Sequence, residues 1–317
     1  MADYKGTREA FTAAMLDLAK SDERIMFVSA DTLKAMRAVP FAEQYPARYV
    51  EVGIAEQSAV DVAAGMAAAG LMPFVGTYAG FLTMRACEQM RTFVAYPDLN
   101  VKFIGINAGL IGGEREGVTH QFYEDIGITA MFPTFTIFTP ADGNQTYHAV
   151  KMAAEARGPV YIRAGSGREK DVFAKEAPFS KDGFTILQND GTEALLLSSG
   201  FVLSRVLDAG KALKSAGVKC TVADVNILYS KSPQELIKLL SRYDRIVTVE
   251  DHNINGGLGA WICALVCENK PARVKRIGLK TFGESGPADE LADHYGFDAK
   301  SISQGVVDFV SGDNAKL

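Results

Sequence analysis

Three short runs in this 317-residue chain carry side chains suited to chemistry. The first is Gly53-Ile-Ala-Glu56-Gln57, between an extended segment (Tyr49 to Val52) and an alanine-rich helix over 57–69. A carboxylate at a helix start is favoured by the unpaired N–H groups and the helix dipole. On spacing alone, an ordinary first-turn acid accounts for Glu56. The second run places Tyr78, Phe81 and Met84 at intervals of three just after a strand. Core packing explains that interval as well as a slot for a flat ligand does. The third, Gly112-Gly-Glu-Arg115-Glu116-Gly-Val-Thr119-His120-Gln121, is a glycine-rich charged loop. Loops after parallel strands sit where ligands bind in open α/β sheets, so His120 is the candidate there.

Other motifs exclude more than they offer. His148 lies in a polar helix and His294 in a charged segment, so both read as exposed. His252 follows Glu250-Asp251 and precedes Gly256-Gly-Leu-Gly259, which lacks the spacing of a dinucleotide fingerprint. The chain has neither a phosphate-loop motif nor a G-x-S-x-G nucleophile elbow, which argues against nucleotide hydrolysis and serine-hydrolase chemistry. The four cysteines, Cys87, Cys220, Cys263 and Cys267, are too few for a disulfide scaffold and have no zinc spacing. They read as buried free thiols in a reducing cytoplasm, and no metal site is expected in this chain.

The elements that must position these residues alternate. Helices are expected at 8–20, 57–69, 80–94 and 142–156, with strands at 25–29, 73–77, 101–106, 134–138 and 160–163. A polar stretch over 165–183 follows, and then the alternation resumes from 194 to 277. The fold class is therefore α/β: two doubly wound domains, each with a mainly parallel sheet. The expected boundaries are 1–168 and 185–317, joined by a linker at 169–184. The net charge of −5 argues against a nucleic-acid partner. Val62 to Met84 is uncharged and exceeds the roughly 20 residues that span a bilayer, but five Gly and Pro residues interrupt it, so it reads as buried helix, turn and strand rather than a membrane segment. The N-terminus has no secretory pattern, and a cytoplasmic location is expected.

In order along nearly the whole chain, several segments resemble the transketolase family, and within it the separate C-terminal subunit of split bacterial transketolases. They are Ser29-Ala-Asp31, Arg48-Tyr-Val-Glu-Val-Gly-Ile-Ala-Glu56-Gln, Gly76-Thr-Tyr-Ala-Gly-Phe81, Met84-Arg-Ala-Cys-Glu-Gln, Thr119-His120-Gln121 and Thr139-Pro-Ala-Asp142-Gly. In the second half, Val249-Glu-Asp-His252 with Gly256-Gly-Leu-Gly259, and Phe282-Gly-Glu-Ser-Gly286, resemble the family's C-terminal domain. The resemblance implies a pyrimidine-binding domain for thiamine diphosphate, and a ketol transfer from a ketose to an aldose. Glu56 then matches the acid that hydrogen-bonds the aminopyrimidine, a task suited to a desolvated carboxyl of raised pKa. Tyr78, Phe81 and Met84 match the ring pocket, and Asp31 an acid near the cofactor. His120 matches a histidine that contacts the ketose hydroxyls.

The family's diphosphate and metal motif, Gly-Asp-Gly with a later Asn, is missing; Asp190-Gly191 lacks the leading glycine. The resemblance thus implies an N-terminal-type partner subunit holding Mg2+ or Ca2+, in a heterotetramer of two of each chain. The donor-phosphate anchors also depart. Arg8 matches the first, but Ala35, Asn107 (or Ala108) and Ser166 stand at the others, and Glu116 replaces a sugar-recognising Asp. Losing three charged hydrogen bonds, each worth roughly 1.5–3 kcal/mol, predicts a donor whose tail is not a standard phosphate terminus. Lys34, Arg37, Arg115 and Arg168 are near enough in sequence to compensate. The same segments also suit a deoxyxylulose-phosphate synthase-like enzyme, a 2-oxo acid dehydrogenase β subunit, or a non-catalytic assembly subunit. Thr119-His120-Gln and Phe81-Leu disfavour the dehydrogenase, and the intact Glu56 and His120 disfavour a scaffold. The C-terminal domain receives no catalytic role, and His252 with its glycines reads as a turn that supports a dimer.

Overall fold

The computed structural model of the chain describes residues 4–113 and 116–312. The first half runs α1 (Thr7–Ser21), β1 (Ile25–Ser29), α2 (Val39–Gln44), β2 (Tyr49–Glu51), α3 (Glu56–Ala68) and β3 (Met72–Tyr78). It continues through α4 (Cys87–Gln89), β4 (Lys102–Ile106), α5 (Gly109–Gly112), α6 (Asp125–Ala130), β5 (Thr136–Phe138), α7 (Gly143–Glu155) and β6 (Val160–Arg163). The second half has β7 (Phe184–Asn189), β8 (Ala194–Ser199), α8 (Leu203–Ser215), β9 (Cys220–Val225), β10 (Ile227–Leu228) and α9 (Gln234–Leu240). It closes with β11 (Arg245–Asn253), α10 (Leu258–Glu268), β12 (Arg273–Leu279), α11 (Ala288–His294) and α12 (Ala299–Ser311).

Local chemistry sets the element ends. The α3 helix stops at Ala68, and Gly70 beyond it takes φ 89°, a conformation glycine adopts without steric cost. Asp142 caps α7 by accepting the Gln145 N–H at 2.7 Å, and its other oxygen accepts the N–H groups of Val172 and Phe173. Wide π-type turns at Phe81–Arg85 and Met90–Ala95 flank α4, where the spacing predicts one regular helix. Such bulges recur at functional sites, and this one carries Phe81, Met84 and Arg85.

The strands form two sheets, ordered β10-β5-β6-β4-β3-β1-β2 and β12-β11-β8-β9-β7. Pairing is parallel throughout, except that β10 and β7 join antiparallel at the sheet edges. Every residue of β1, β4, β6, β8 and β9 is buried, as expected for sheets covered on both faces. The α/β class is as the alternation predicts.

Three details differ from what the sequence predicts. The strand β10 lies beyond the linker, yet it pairs with β5 of the first sheet, and one apolar core runs from Val28 and Phe103 to Ala223 and Leu258. The stretch over 165–183 is irregular as expected, but it is no loose tether. Phe173 and Phe179 are buried, and Phe179 packs on Phe138 with centroids 4.9 Å apart. Of the four free cysteines only Cys220 is buried, while Cys267 is exposed. Among the described residues, no helix is long and apolar enough to cross a membrane.

Candidate active site

Most of the residues singled out from the sequence gather at the carboxyl edge of the seven-stranded sheet, where open α/β sheets bind ligands. Asp31 follows β1 and Asn107 follows β4, both with left-handed backbones (φ 55° and 53°). That conformation costs energy for a side-chain-bearing residue and is common at functional sites. The Asp31 side chain is exposed, and its N–H donates to Glu51 Oε1 at 2.7 Å. Glu51 also accepts from Gly53 N–H and Tyr49 Oη, fixing the turn that leads into α3. Burial raises the Glu51 pKa, but these bonds outweigh it and hold the carboxyl below its ordinary range.

Glu56 opens α3 and is 5% exposed. The carboxyl is desolvated as expected, but it has a charged partner: Arg85 Nη1 donates to Oε1 at 2.9 Å. The Arg85 guanidinium also lies 3.7 Å from the Phe81 ring centroid. Sequence reasoning missed Arg85, although Phe81 and Arg85 stand at the i, i+4 spacing that brings side chains together. Ile54 to Ser58 and Arg85 line a cavity of about 540 Å3, and Ile54 on its wall is exposed.

Next to it lies an aromatic cluster. Tyr78 and Phe81 meet edge to face at 5.4 Å, and His120 sits 5.2 Å from Tyr78 and 5.0 Å from Phe81. Phe122 closes the group at 5.3 Å from Phe81. Its ring fits because residue 80 is glycine; a Cβ there would be 1.7 Å from it. His120 Nδ1 is 2.9 Å from Thr119 Oγ1. Arg85 thus links Glu56 to the Phe81 ring, on which His120 also packs. Met84, 42% exposed, faces outward.

A third group lies beyond Tyr78. Arg8 reaches from α1 to the carbonyls of Gly165 (3.2 Å) and Ala35 (3.0 Å) and to Asn107 Oδ1. Burial lowers its pKa from the ordinary value, against the opposing fields of Glu169, Tyr78 and Glu116. Asn107 is buried, and Glu116 is exposed. Arg115 lies outside the described residues. Lys34 is exposed, and Arg37 pairs with Glu9 at 2.6 Å. A cleft of about 330 Å3 between the two halves joins Ser166 to Arg168, Lys170 and Arg205, with Glu169 and Asp289 on its walls. Two histidine readings change: His148 is half-buried against the Lys175 carbonyl, and His252 is wholly buried rather than a turn residue. The glycines after it do form the turn, and Glu250 caps α10 through the N–H groups of Leu258 and Gly259.

Residues 4–167 match the model of the transketolase pyrimidine binding domain, and residues 183–302 match that of the transketolase C-terminal domain. A subunit of the apulose-4-phosphate transketolase of Phocaeicola vulgatus is 33% identical over 96% of this chain and 97% of its own length. The 6-deoxy-6-sulfo-D-fructose transketolase subunit SqwH of a Clostridium species is 31% identical over 93% and 91%. A solved split-gene transketolase, described as an inactive beta4 tetramer, superposes with a TM-score of 0.85 at 32% identity, covering 96% of this chain and 98% of that one.

Proposed function

Because the chain belongs to the transketolase family, we propose that it is the C-terminal subunit of a two-chain, thiamine-diphosphate-dependent transketolase. In this reading residues 1–168 and 185–317 are its two domains, and the complex, a cytoplasmic heterotetramer, moves a two-carbon ketol unit from a ketose to an aldose. The observation that carries it is the buried Glu56 carboxyl beside the Tyr78–Phe81–His120 cluster. These residues fit an aminopyrimidine: a desolvated acid for a ring nitrogen, and aromatic faces for a flat heterocycle. When bound, the cofactor supplies a carbon nucleophile able to store a carbanion. Glu56 holds a shared proton toward the ring, and Arg85 occupies only its Oε1. Tyr78, Phe81 and Met84 seat the ring, and Asp31 with Glu51 shapes the adjoining turn. His120 orients donor hydroxyls.

The diphosphate and its Mg2+ or Ca2+ fall to an N-terminal partner, since the Gly-Asp-Gly motif is absent from this sequence. The exposed Ile54 on the cavity wall and the exposed Met84 suit such a partner, and the inactive tetramer formed by a similar chain is in keeping with that need. The tail of the donor is anchored by Arg8 and Asn107, with the field of Glu116 acting on Arg8; Arg115, assigned to the same task from the sequence, lies outside the described residues. With only one of four family anion anchors kept, the donor carries something other than a standard sugar-phosphate terminus, such as a sulfonate or a tail of different length. A relative named for 6-deoxy-6-sulfo-D-fructose supports the sulfonate, while one named for apulose 4-phosphate acts on a sugar phosphate.

The test is reconstitution with the N-terminal subunit, followed by a screen of phosphorylated, sulfonated and unmodified ketoses. Turnover of xylulose 5-phosphate at ordinary transketolase efficiency overturns the tail assignment alone. Absence of thiamine diphosphate binding to the complex overturns the whole reading.

A further inference from the structure

The segment that carries His120 leaves β4 at Asn107 and returns at Tyr123, and the second half of the chain holds it at several points. Asp251, 1% exposed at the end of β11, accepts two backbone N–H groups: Leu110 on Oδ1 at 2.8 Å and Ile111 on Oδ2 at 3.1 Å. Gly109 beside them has φ +82°, and a Cβ there would lie 2.2 Å from Asp251 Oδ2. The Asn253 N–H donates to the Tyr123 carbonyl at 2.7 Å. The Gly283 N–H donates to Tyr123 Oη at 2.9 Å, and Gln121 Nε2 to the Glu284 carbonyl at 2.7 Å. Behind Asp251, Arg163 Nη2 donates to its carbonyl at 2.8 Å, while Arg163 Nε pairs with the buried Asp125 at 2.9 Å.

From these contacts we propose that Asp251 is a positioning residue, and that the second domain serves as a jaw setting His120 against Tyr78 and Phe81. The inference rests on the role given to His120 above. A carboxylate accepting two adjacent N–H groups fixes both the place and the direction of the backbone that follows. The far end of the excursion is fixed independently at Gln121 and Tyr123, so His120 is stationed from both sides. Displacing a substrate-orienting group by about 1 Å can cost about a hundredfold in rate. A buried acid from the far half of the chain thereby acts on the chemistry without touching the substrate.

The experiment uses the reconstituted two-chain complex with Asp251→Asn, alone and combined with His120→Ala. Asparagine keeps one acceptor and turns a donor toward the second N–H. The expected result is a fall in kcat of about ten- to a hundredfold, and faster amide exchange confined to peptides over 109–123. In the His120→Ala background the same substitution costs nothing further. Multiplying losses, or unchanged exchange with kcat within twofold of wild type, overturns the proposal. If Asp251→Asn does not fold, Tyr123→Phe removes only the acceptor for Gly283 and should lower kcat about threefold, again with no added loss once His120 is gone. Should the wild-type complex transfer no ketol unit, the proposed function fails, and the exchange measurement still decides whether Asp251 holds the segment.

Discussion

Exchanging Glu56 for glutamine separates catalysis from scaffolding, because the structure assigns very different magnitudes to the two. Glutamine keeps the shape and the Oε1 acceptor for Arg85; only the charge and the transferable proton are lost. The Glu56–Arg85 pair has one partner 48% exposed, and pairs screened in that way are worth about 0–1 kcal/mol. For a protein this size that shifts Tm by at most about 4 °C. Proton exchange with a positioned side chain contributes about 10²–10⁴ in rate, or roughly 3–5 kcal/mol of barrier. The Glu56→Gln complex should therefore lose at least about a hundredfold in kcat while melting close to wild type. Steady-state ketol transfer by the reconstituted pair, beside calorimetric Tm, gives both numbers. A kcat within threefold of wild type, or a loss that tracks a Tm fall above about 10 °C, would refute the assignment.

Arg8→Ala should raise KM about tenfold or more for a donor with an anionic tail and leave an uncharged ketose unaffected; equal losses on both would make Arg8 a scaffold residue. Burial pushes the Asp224 carboxyl up to about 7, so the folded chain keeps this proton after the unfolded chain has lost it near 3.8. The contribution of Asp224 to stability therefore declines as pH rises from about 4 to 7, and Asp224→Asn should be a few kcal/mol more stable than wild type at pH 8 and close to it at pH 4 in urea titrations. Gly109→Ala combines a left-handed backbone with a clash on Asp251, and should cost on the order of 3 kcal/mol in the same titration; an unshifted midpoint would contradict the tight approach of that turn to the carboxylate.

Much of this architecture was legible because hydrophobic period and turn chemistry are local. Alternation of apolar runs placed the principal strands and the helices at 57–69 and 142–156. The site was legible chiefly through the family resemblance, which singled out Asp31, Tyr78 and Asn107; parallel strands then deliver the residues at their carboxyl ends to one edge of the sheet. What escaped notice depends on pairs far apart in the chain. The two residues of β10 are too few to make a pattern, and β7 alternates weakly because it is a half-exposed edge strand. Arg85 meets Glu56 from 29 positions away, and Asp251 meets Leu110 from 141. Burial of His252 was masked by its polar neighbours, each of which finds a partner only in the folded state.

The strand Ile227–Leu228 completes a sheet whose other members all precede residue 164. A gene truncated anywhere between the two matched regions would leave the first piece with a raw border at β5, exposing Ile137 and Phe138 as a sticky template for aggregation. Anyone shortening this polypeptide for expression, or grafting its front portion onto another scaffold, must carry that dipeptide along.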